Sequence, residues 1–296
     1  MSSCHCIITR FSYRFRKTDP TDKLLSDKRL DERIKLHEKF CYSSIVNQLN
    51  PNFYWILIID PLLPEKYRSQ LEELIQRHKK SENYQKKGPR EIWLHTWDWD
   101  QNNLGKLDWV FPYFDQLSQK NGNNWEKPKY FVTTRLDDDD SLVETFVDQV
   151  KTQVRKRPFI KGFRYLSFSV GYHYYVGHSS LRMTRLPMIA LGLTLVAEIS
   201  KYPLCVYMGS HTRIPTYIKD PNRHATMLEY YKKNKDLPVN RRQIMDRLFV
   251  IRGGTPVWIR NVHEFNLQKN ITKHYSKKQN HVKIKEILSK QFHIDI

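Results

Sequence analysis

Apolar runs of strand length that alternate with helical patterns constrain the fold of this chain most. The run FYWILIID at residues 53–60 is unbroken, which is typical of a strand buried on both faces of a parallel sheet. The other runs of strand length lie at residues 4–11, 91–97 and 129–136, and helical patterns lie at residues 31–49, 64–80 and 104–117. Strands that alternate with helices predict an α/β fold with a mostly parallel sheet flanked by helices. Ligands of such sheets bind beyond the carboxyl ends of the strands.

Length and composition predict one large domain with an anionic partner. The 296 residues are 40% hydrophobic, and the formal net charge is +19. A charge of this sign favours nucleotides, nucleic acids, phospholipid surfaces or acidic glycans. The chain starts without a signal-peptide pattern, and no apolar run reaches the roughly 18 residues of a membrane span, so we expect a soluble, cytoplasmic protein. Its four cysteines form no C-x-x-C pair, and we expect reduced thiols.

The segment YFVTTRLDDDDSL places four consecutive carboxylates at the carboxyl end of a buried strand, at Asp137–Asp140. Adjacent carboxylates repel one another, and burying one without compensation is costly, so the cluster predicts a cation. Mg²⁺ or Mn²⁺ is expected, because hard divalent ions take oxygen ligands and are often shared with substrate phosphates. We expect Asp137 and Asp139 to face one side, Asp138 to point away and Asp140 to close the turn. An alternative is helix capping by Asp140 or Ser141, which explains one or two of the four aspartates.

Three segments in this order, HCIITRFSY, YSSIVNQLNPNFYWILIID and YFVTTRLDDDDSL, resemble the nucleotide-binding half of GT-A glycosyltransferases. The chain is most similar to rhamnosyltransferases related to family-2 enzymes, whose acidic strand end reads T-R-L-D-x-D-D. Later segments that share the resemblance are YLSFSVGYHYY, VYMGSHTRIP and PVWIRNVHEFN, so that it covers residues 4–266. The resemblance implies a single GT-A-like, Rossmann-like domain and an inverting hexosyltransferase of polysaccharide biosynthesis. Its donor would be a nucleotide sugar, with rhamnose as the sugar suggested by the family, and its acceptor a glycan or a lipid-linked glycan.

The resemblance also implies roles for individual residues. Asp137 and Asp139 match the D-x-D element, in which one aspartate faces the ribose and the metal and the other binds the metal. Asp140 matches the acidic position that follows. The other positions expected to bind the nucleotide sugar are Thr9, Arg10, Phe11, Asp60 and Arg135. At Asp60 the sequence reads DPLLP where family-2 enzymes have an Asp-Asp-Gly-Ser-like loop. Arg135 could pair with the aspartates or with phosphate, and pairing with the aspartates is favoured.

A general base and further metal ligands are expected in the second half of the chain. Glu198 and Asp246 are candidate bases for an inverting transfer, although acids on helices are commonly solvated. His211 and His263 follow apolar runs and could complete the metal site, or they could be hydrogen-bonded structural residues. His173 and His178 lie in a tyrosine-rich segment that suits an acceptor sugar or ordinary packing.

The predicted organisation has three parts. Residues 1–150 form the donor-binding half and 151–266 the acceptor-binding half of the same domain, and 267–296 form a basic helical tail. The tail is amphipathic, so it either packs on the domain or contacts an anionic membrane surface as a peripheral helix. Rival functions are a metal-dependent nuclease or nucleotidyltransferase, and a basic nucleic-acid-binding module. Nucleic acid is disfavoured as a partner, because the chain has no recognisable motif for it and the aspartates would repel phosphate.

Overall fold

The computed structural model describes an α/β protein whose strands and helices alternate along the chain. It covers residues 3–14, 18–98, 103–120, 122, 127–156, 162–186, 189–208, 248–263 and 281–296. The strands of the first half are β1 (Ser3–Phe11), β2 (Tyr54–Ile59), β3 (Ile92–Thr96), β4 (Tyr130–Asp137) and β5 (Ser141–Leu142). Those of the second half are β6 (Phe163–Phe168), β7 (Val170–Tyr175), β8 (Ser180–Arg185), β9 (Thr194–Glu198), β10 (Leu248–Ile251) and β11 (Trp258–Val262). The helices are α1 (Thr21–Leu24), α2 (Asp27–Leu36), α3 (Ser43–Val46), α4 (Glu65–Lys79), α5 (Phe111–Lys120), α6 (Phe146–Lys156) and α7 (His281–Phe292).

A seven-stranded sheet in the order β10-β6-β9-β4-β1-β2-β3 forms the centre of the described protein. β9 runs antiparallel to both of its neighbours, whereas the other pairings in this sheet are parallel. The prediction of a mostly parallel sheet flanked by helices is therefore confirmed. Strands of both predicted halves share this sheet, because β4 of the first half pairs directly with β9 of the second.

A smaller sheet in the order β5-β11-β7-β8 lies beyond the end of β4. It begins at β5, which the turn after Asp137 connects to β4. β11 pairs antiparallel with β5 and parallel with β7, and β8 closes the sheet as the antiparallel neighbour of β7. The short β5 thus fixes the second sheet next to the carboxyl end of β4.

The helical segment before β2 differs in detail from the helix predicted at residues 31–49. It starts earlier, at Asp27, and a π-helical turn at His37–Tyr42 separates α2 from α3. Such wide turns inside helices occur often at functional sites. Here the turn carries His37, whose Nδ1 lies 3.1 Å from the backbone oxygen of Asp138. The helix predicted at residues 104–117 begins only at Phe111.

The described part of the predicted tail, α7 and the residues after it, packs against the main apolar core. Ile284, Leu288 and Phe292 lie on one face of the helix and are buried together with Ile294. The backbone N–H of Glu144, just before α6, donates to the carbonyl of Gln291 at 3.0 Å. Among the described helices, none combines the length and the apolar character that a membrane span needs.

Candidate functional site

The carboxyl ends of β1 and β4 meet at the four aspartates, which we call the acidic turn (Asp137–Asp140). The parallel register pairs Arg10 of β1 with Asp137 of β4, so both strands end at this edge of the sheet. Asp138, Asp139 and Asp140 are buried, whereas 35% of the Asp137 side chain is exposed. The site therefore lies where ligands of parallel sheets bind.

Two arginines flank the exposed member of the acidic turn. Arg135 Nη2 lies 3.2 Å from Asp137 Oδ1, and Arg10 Nη2 lies 3.8 Å from the same oxygen. Both guanidinium groups also lie over the ring of Tyr207, at 4.7 Å for Arg10 and 5.2 Å for Arg135. Burial opposes ionisation of Asp137, but the charges of Arg135 and Arg10 outweigh it and hold the pKa of this carboxyl below its usual value. Two cations around one carboxylate leave a local positive charge, which suits a phosphate group.

A third arginine neutralises the buried members of the turn. Arg33, on the buried face of α2, forms an ion pair with Asp138, and its Nη1 lies 2.6 Å from Asp139 Oδ2. The backbone N–H of Ser12 also donates to Asp138 at 3.0 Å. Ser12 adopts a positive φ of 43°, which is uncommon for a residue other than glycine and directs this N–H to the carboxylate. The expectation that Asp138 points away from the site is thus wrong, because Asp138 shares Arg33 with Asp139.

Residues at the end of β11 hold Asp139 and Asp140 from the other side. His263 Nε2 lies 2.7 Å from Asp139 Oδ2. The backbone N–H of Asn261 donates to Asp140 Oδ1 at 2.9 Å, and its side-chain amide donates to the carbonyl of Asp139. These contacts join the second sheet directly to the acidic turn.

The buried carboxyl groups of Asp139 and Asp140 differ in how easily they ionise. Burial would raise the pKa of Asp139, but Arg33 and then His263 hold it well below its usual value. For Asp140, burial and the charges of Asp139 and Asp137 act together and raise the pKa well above its usual value. The acidic turn thus combines an ionised carboxylate with a neighbouring carboxyl that resists ionisation.

The carboxylate oxygen of Asp139 is a ligand type that both Mg²⁺ and Mn²⁺ take, whereas the imidazole nitrogen of His263 is a ligand type of transition metals and therefore fits Mn²⁺ better than Mg²⁺. Their number does not complete a site: within the described ranges, no three His, Cys, Asp or Glu side chains are grouped to hold a metal ion. Asp137, the third predicted ligand, is directed to Arg10 and Arg135 instead. His211, the fourth, lies outside the described residues. Phosphate oxygens of a donor would have to supply the remaining ligands.

Three of the positions expected to bind the nucleotide are engaged inside the protein. Thr9 is fully buried and accepts a hydrogen bond from the indole N–H of Trp55 at 3.0 Å. Phe11 is also buried in the main apolar core. On β1, Arg10 is therefore the predicted nucleotide-binding residue that reaches the acidic turn.

Asp60, the third of these positions, forms a bidentate ion pair with Arg14. Arg14 Nε lies 2.7 Å from Asp60 Oδ2 and Nη2 lies 2.9 Å from Oδ1. The backbone N–H groups of Arg14 and Leu62 donate to the same carboxylate. A carboxylate offers about four acceptor positions, and these four bonds fill them. Asp60 thus fixes the loop after β2, and its geometry does not support the predicted contact with the nucleotide sugar.

Of the two predicted bases, Glu198 lies away from the acidic turn. Glu198 pairs in register with Tyr130, at the start of β4, whereas Asp137 ends that strand. Seven residues of extended strand separate these two positions, or about 23 Å. Glu198 also lies 3.1 Å from Lys201 Nζ. The prediction that Glu198 is the general base is therefore wrong: it is an ion-paired residue at the end of the sheet opposite the acidic turn. Asp246 lies outside the described residues.

Sequence reasoning missed Arg33 and Asn261. Arg33 follows Leu30 by three residues and precedes Leu36 by three, which places it on the buried face of α2. A cation on an otherwise apolar helix face was the available signal. Asn261 had no such signal, because its role depends on the pairing of β11 with β5.

A family model described as "Putative rhamnosyl transferase" matches residues 7–98, which run from β1 past β3 and end before the acidic turn. No curated protein gives a significant match.

Solved structures resemble the chain at low identity. A "putative nucleotide-diphospho-sugar transferase" from Desulfovibrio desulfuricans G20 is 13% identical, with 86% of this chain and 84% of that chain covered and a TM-score of 0.32. TarS from S. aureus is 14% identical, with coverages of 88% and 37% and a TM-score of 0.31. Mouse xyloside xylosyltransferase 1 is 10% identical, with coverages of 84% and 85% and a TM-score of 0.35. These TM-scores are low, and the architecture described above rests on the strand order alone.

Proposed function

We propose that the protein is a glycosyltransferase that binds the diphosphate of a nucleotide-sugar donor at the acidic turn. The observation that carries this proposal is the position of Arg10 and Arg135, which flank Asp137 at the carboxyl ends of β1 and β4. The match of residues 7–98 to a rhamnosyltransferase family model supports the same class of enzyme and suggests rhamnose as the sugar.

Each side of the acidic turn has its own part in the proposed reaction. Negative charge accumulates on the diphosphate as it leaves the sugar, and Arg10 and Arg135 would stabilise that charge. Asp139 and His263 would hold Mn²⁺ or Mg²⁺ together with donor phosphates, and the ion would add Lewis-acid stabilisation of the leaving group. Arg33 keeps Asp138 and Asp139 in place by compensating their charge.

The acceptor in this proposal is a glycan or a lipid-linked glycan, and transfer inverts the anomeric centre. Inversion requires a carboxylate that takes the proton of the acceptor hydroxyl group. Asp246 remains the proposed base. We also propose a cytoplasmic location with peripheral contact to an anionic membrane, supported by the net charge of +19.

The test is release of nucleoside diphosphate from a panel of nucleotide sugars, measured with and without Mn²⁺. We expect one donor to be cleaved, with Arg135→Gln strongly impaired and the charge-matched Arg68→Gln, on the exposed face of α4, unimpaired. Tight nucleic-acid binding with a steep salt dependence, together with no cleavage of any donor, would overturn the proposal.

A further inference from the structure

The ring of Tyr207 is a contact that Arg10 and Arg135 share. The guanidinium carbon of Arg10 lies 4.7 Å from the centroid of this ring, and that of Arg135 lies 5.2 Å from it. The negative face of an aromatic ring attracts a guanidinium group, most strongly where water is excluded. Tyr207 is only 8% exposed. No step of the proposed reaction uses this residue.

The two arginines are diagonal neighbours on one face of the large sheet. The register pairs Arg10 with Asp137 and Ile8 with Arg135, and residues two apart on a strand project to the same side. Burial lowers the pKa of Arg10, and the charge of Arg135 lowers it further, because the two cations repel each other. Arginine side chains also have many rotamers, so keeping these two side by side requires contacts that hold both.

Asp137 contacts the two arginines unequally. Its Oδ1 lies 3.2 Å from Arg135 Nη2 but 3.8 Å from Arg10 Nη2, and the second distance is too long for a hydrogen bond. Tyr13 provides a further ring for Arg10, at 5.9 Å from its guanidinium carbon. The Tyr207 ring contacts both guanidinium groups at similar distances, so it joins them more evenly than Asp137 does.

Tyr207 is itself fixed to the strands that carry the two arginines. The backbone N–H of Val206 donates to Thr133 Oγ1 of β4 at 2.8 Å, and the Tyr207 hydroxyl group donates to the carbonyl of Ile8 of β1 at 3.2 Å. Burial raises the pKa of Tyr207 to about 12, so the hydroxyl group keeps its proton and remains a donor at neutral pH. These anchors on β1 and β4 place the ring between the two strands.

A pair of arginines that is already ordered binds a diphosphate more tightly than a mobile pair. Ordering one long side chain on binding lowers affinity about two- to tenfold. Two guanidinium groups held side by side can contact oxygens of the same diphosphate without this loss.

We propose that Tyr207 is a positioning residue, whose ring holds Arg10 and Arg135 side by side for the diphosphate of the donor. The inference rests on the proposed function, because it deepens the role of the two arginines in that function. Tyr207 acts through the arginines, so binding requires its ring rather than its hydroxyl group.

Titration calorimetry with UDP, GDP and dTDP, each with Mn²⁺, tests the inference at a temperature at which the variants are folded. Tyr207→Leu should weaken binding of the diphosphate that the wild type binds about fivefold or more, since two side chains lose their order. Tyr207→Met, whose flexible side chain fills irregular space, should show the same loss. Tyr207→Phe keeps the ring and should restore most of the affinity, although it loses the hydrogen bond to Ile8.

Phe114→Leu is the matched control for loss of a buried ring. Phe114 belongs to the same apolar cluster as Tyr207, but it packs against Phe131, near the start of β4 and far from the acidic turn. This variant should lower the melting temperature and leave affinity within about twofold. An equal loss of affinity in Phe114→Leu and Tyr207→Leu would overturn the inference.

NMR of the wild type without ligand gives a readout that does not depend on the folding of any Tyr207 variant. We expect order parameters above about 0.6 for the side-chain Nε–H groups of Arg10 and Arg135, since lower values are typical of flexible groups. Flexible values for both arginines would overturn the inference.

A double-mutant cycle shows whether Tyr207 acts through the arginines. In the Arg135→Gln background, Tyr207→Leu should cost less affinity than in the wild type, because residues in contact have non-additive effects. Equal costs in both backgrounds, or unchanged affinity in Tyr207→Leu, would overturn the inference while binding by the wild type leaves the proposed function standing. A wild type that binds none of the three diphosphates would contradict the proposed function, and the inference with it.

Discussion

Arg33 compensates two adjacent carboxylates that would otherwise be buried with their charge unbalanced. Its guanidinium group contacts both Asp138 and Asp139, and all three side chains are at least nine-tenths buried. Removing one partner of a buried ion pair costs about 3–5 kcal/mol, because the other charge stays buried and unpaired. We therefore expect Arg33→Met to lower the free energy of unfolding by about 3 kcal/mol or more.

Chemical denaturation measures this loss, and Lys35→Met is the matched control. Lys35 lies on the same helix but is exposed, where it pairs with Glu32. Surface pairs of this kind contribute little to stability, so Lys35→Met should leave it nearly unchanged. Equal stability of the two variants would contradict the role of Arg33.

Asp138 is the residue for which the structure reverses the prediction from sequence. The four aspartates alone predict that Asp138→Asn is tolerated, whereas the structure pairs Asp138 with Arg33 and with the N–H of Ser12. Both oxygens of Asp138 face the guanidinium group of Arg33, and asparagine replaces one of them with an N–H donor, so that half of this two-oxygen contact is lost. We expect Asp138→Asn to lower the melting temperature more than Asp137→Asn does, because Asp137 is partly exposed. A larger loss in Asp137→Asn would refute this ranking.

Arg135 belongs to the exposed side of the acidic turn, where we expect an effect on binding rather than on stability. A hydrogen bond to a charged group contributes about 1.5–3 kcal/mol, so Arg135→Gln should weaken nucleoside diphosphate binding about tenfold or more. Titration calorimetry measures the affinity, with Arg68→Gln as the control of equal charge. Unchanged affinity in Arg135→Gln would place the diphosphate elsewhere.

At the scale of elements, α7 is a part of the core rather than an appended tail. Leu288 is fully buried, whereas Val282 on the same helix is 76% exposed. Replacing a buried leucine by alanine costs about 2–5 kcal/mol, because transfer free energy is lost and a cavity remains. We expect Leu288→Ala to destabilise the protein by that amount and Val282→Ala to have an effect of about 0.5 kcal/mol or less.

Thermal and chemical unfolding of both variants distinguish the two roles considered for the tail. A helix used only for membrane contact would tolerate Leu288→Ala in solution. Loss of stability in that variant alone supports packing on the domain. The exposed lysines of α7 remain available for the proposed membrane contact.

At the scale of the whole molecule, buried and partly buried histidines couple stability to pH. Burial lowers the pKa of His5 to about 3 and that of His95 to about 4. In the unfolded chain a histidine has a pKa of about 6.5. Between these values the unfolded state binds more protons than the folded state, so stability falls as the pH falls from about 6.5. Each such histidine contributes a slope that approaches about 1.4 kcal/mol per pH unit near pH 5.

The free energy of unfolding at pH 5 and at pH 6.5 checks this coupling. His95→Gln should reduce the pH dependence between the two values, whatever it does to stability at neutral pH. His281→Gln, at an exposed position of α7, should leave the dependence unchanged. An undiminished slope in His95→Gln would show that His95 has the same pKa in the folded and unfolded states.

The sequence by itself determined the α/β class, the mostly parallel character of the sheet and the position of the acidic turn at a strand end. These features follow from local patterns: an unbroken apolar run reports burial on both faces, and a helix reports its buried face through its period. The segment FYWILIID became β2, and TTRLDDDD ends β4. The period of α2 even marks Arg33 as a buried residue, although the partner of its charge cannot be read from it.

Only the tertiary structure decided which side chains meet. Asp139, Arg33 and His263 are separated by more than a hundred residues in sequence, and they converge because α2 and β11 approach the end of β4 from opposite sides. The strand register decided that Glu198 lies at the opposite end of the sheet and that Arg10, Arg135 and Asp137 share one face. Register and packing are set by interactions between distant segments, and a local pattern contains no information on the partner of a strand or of a charge.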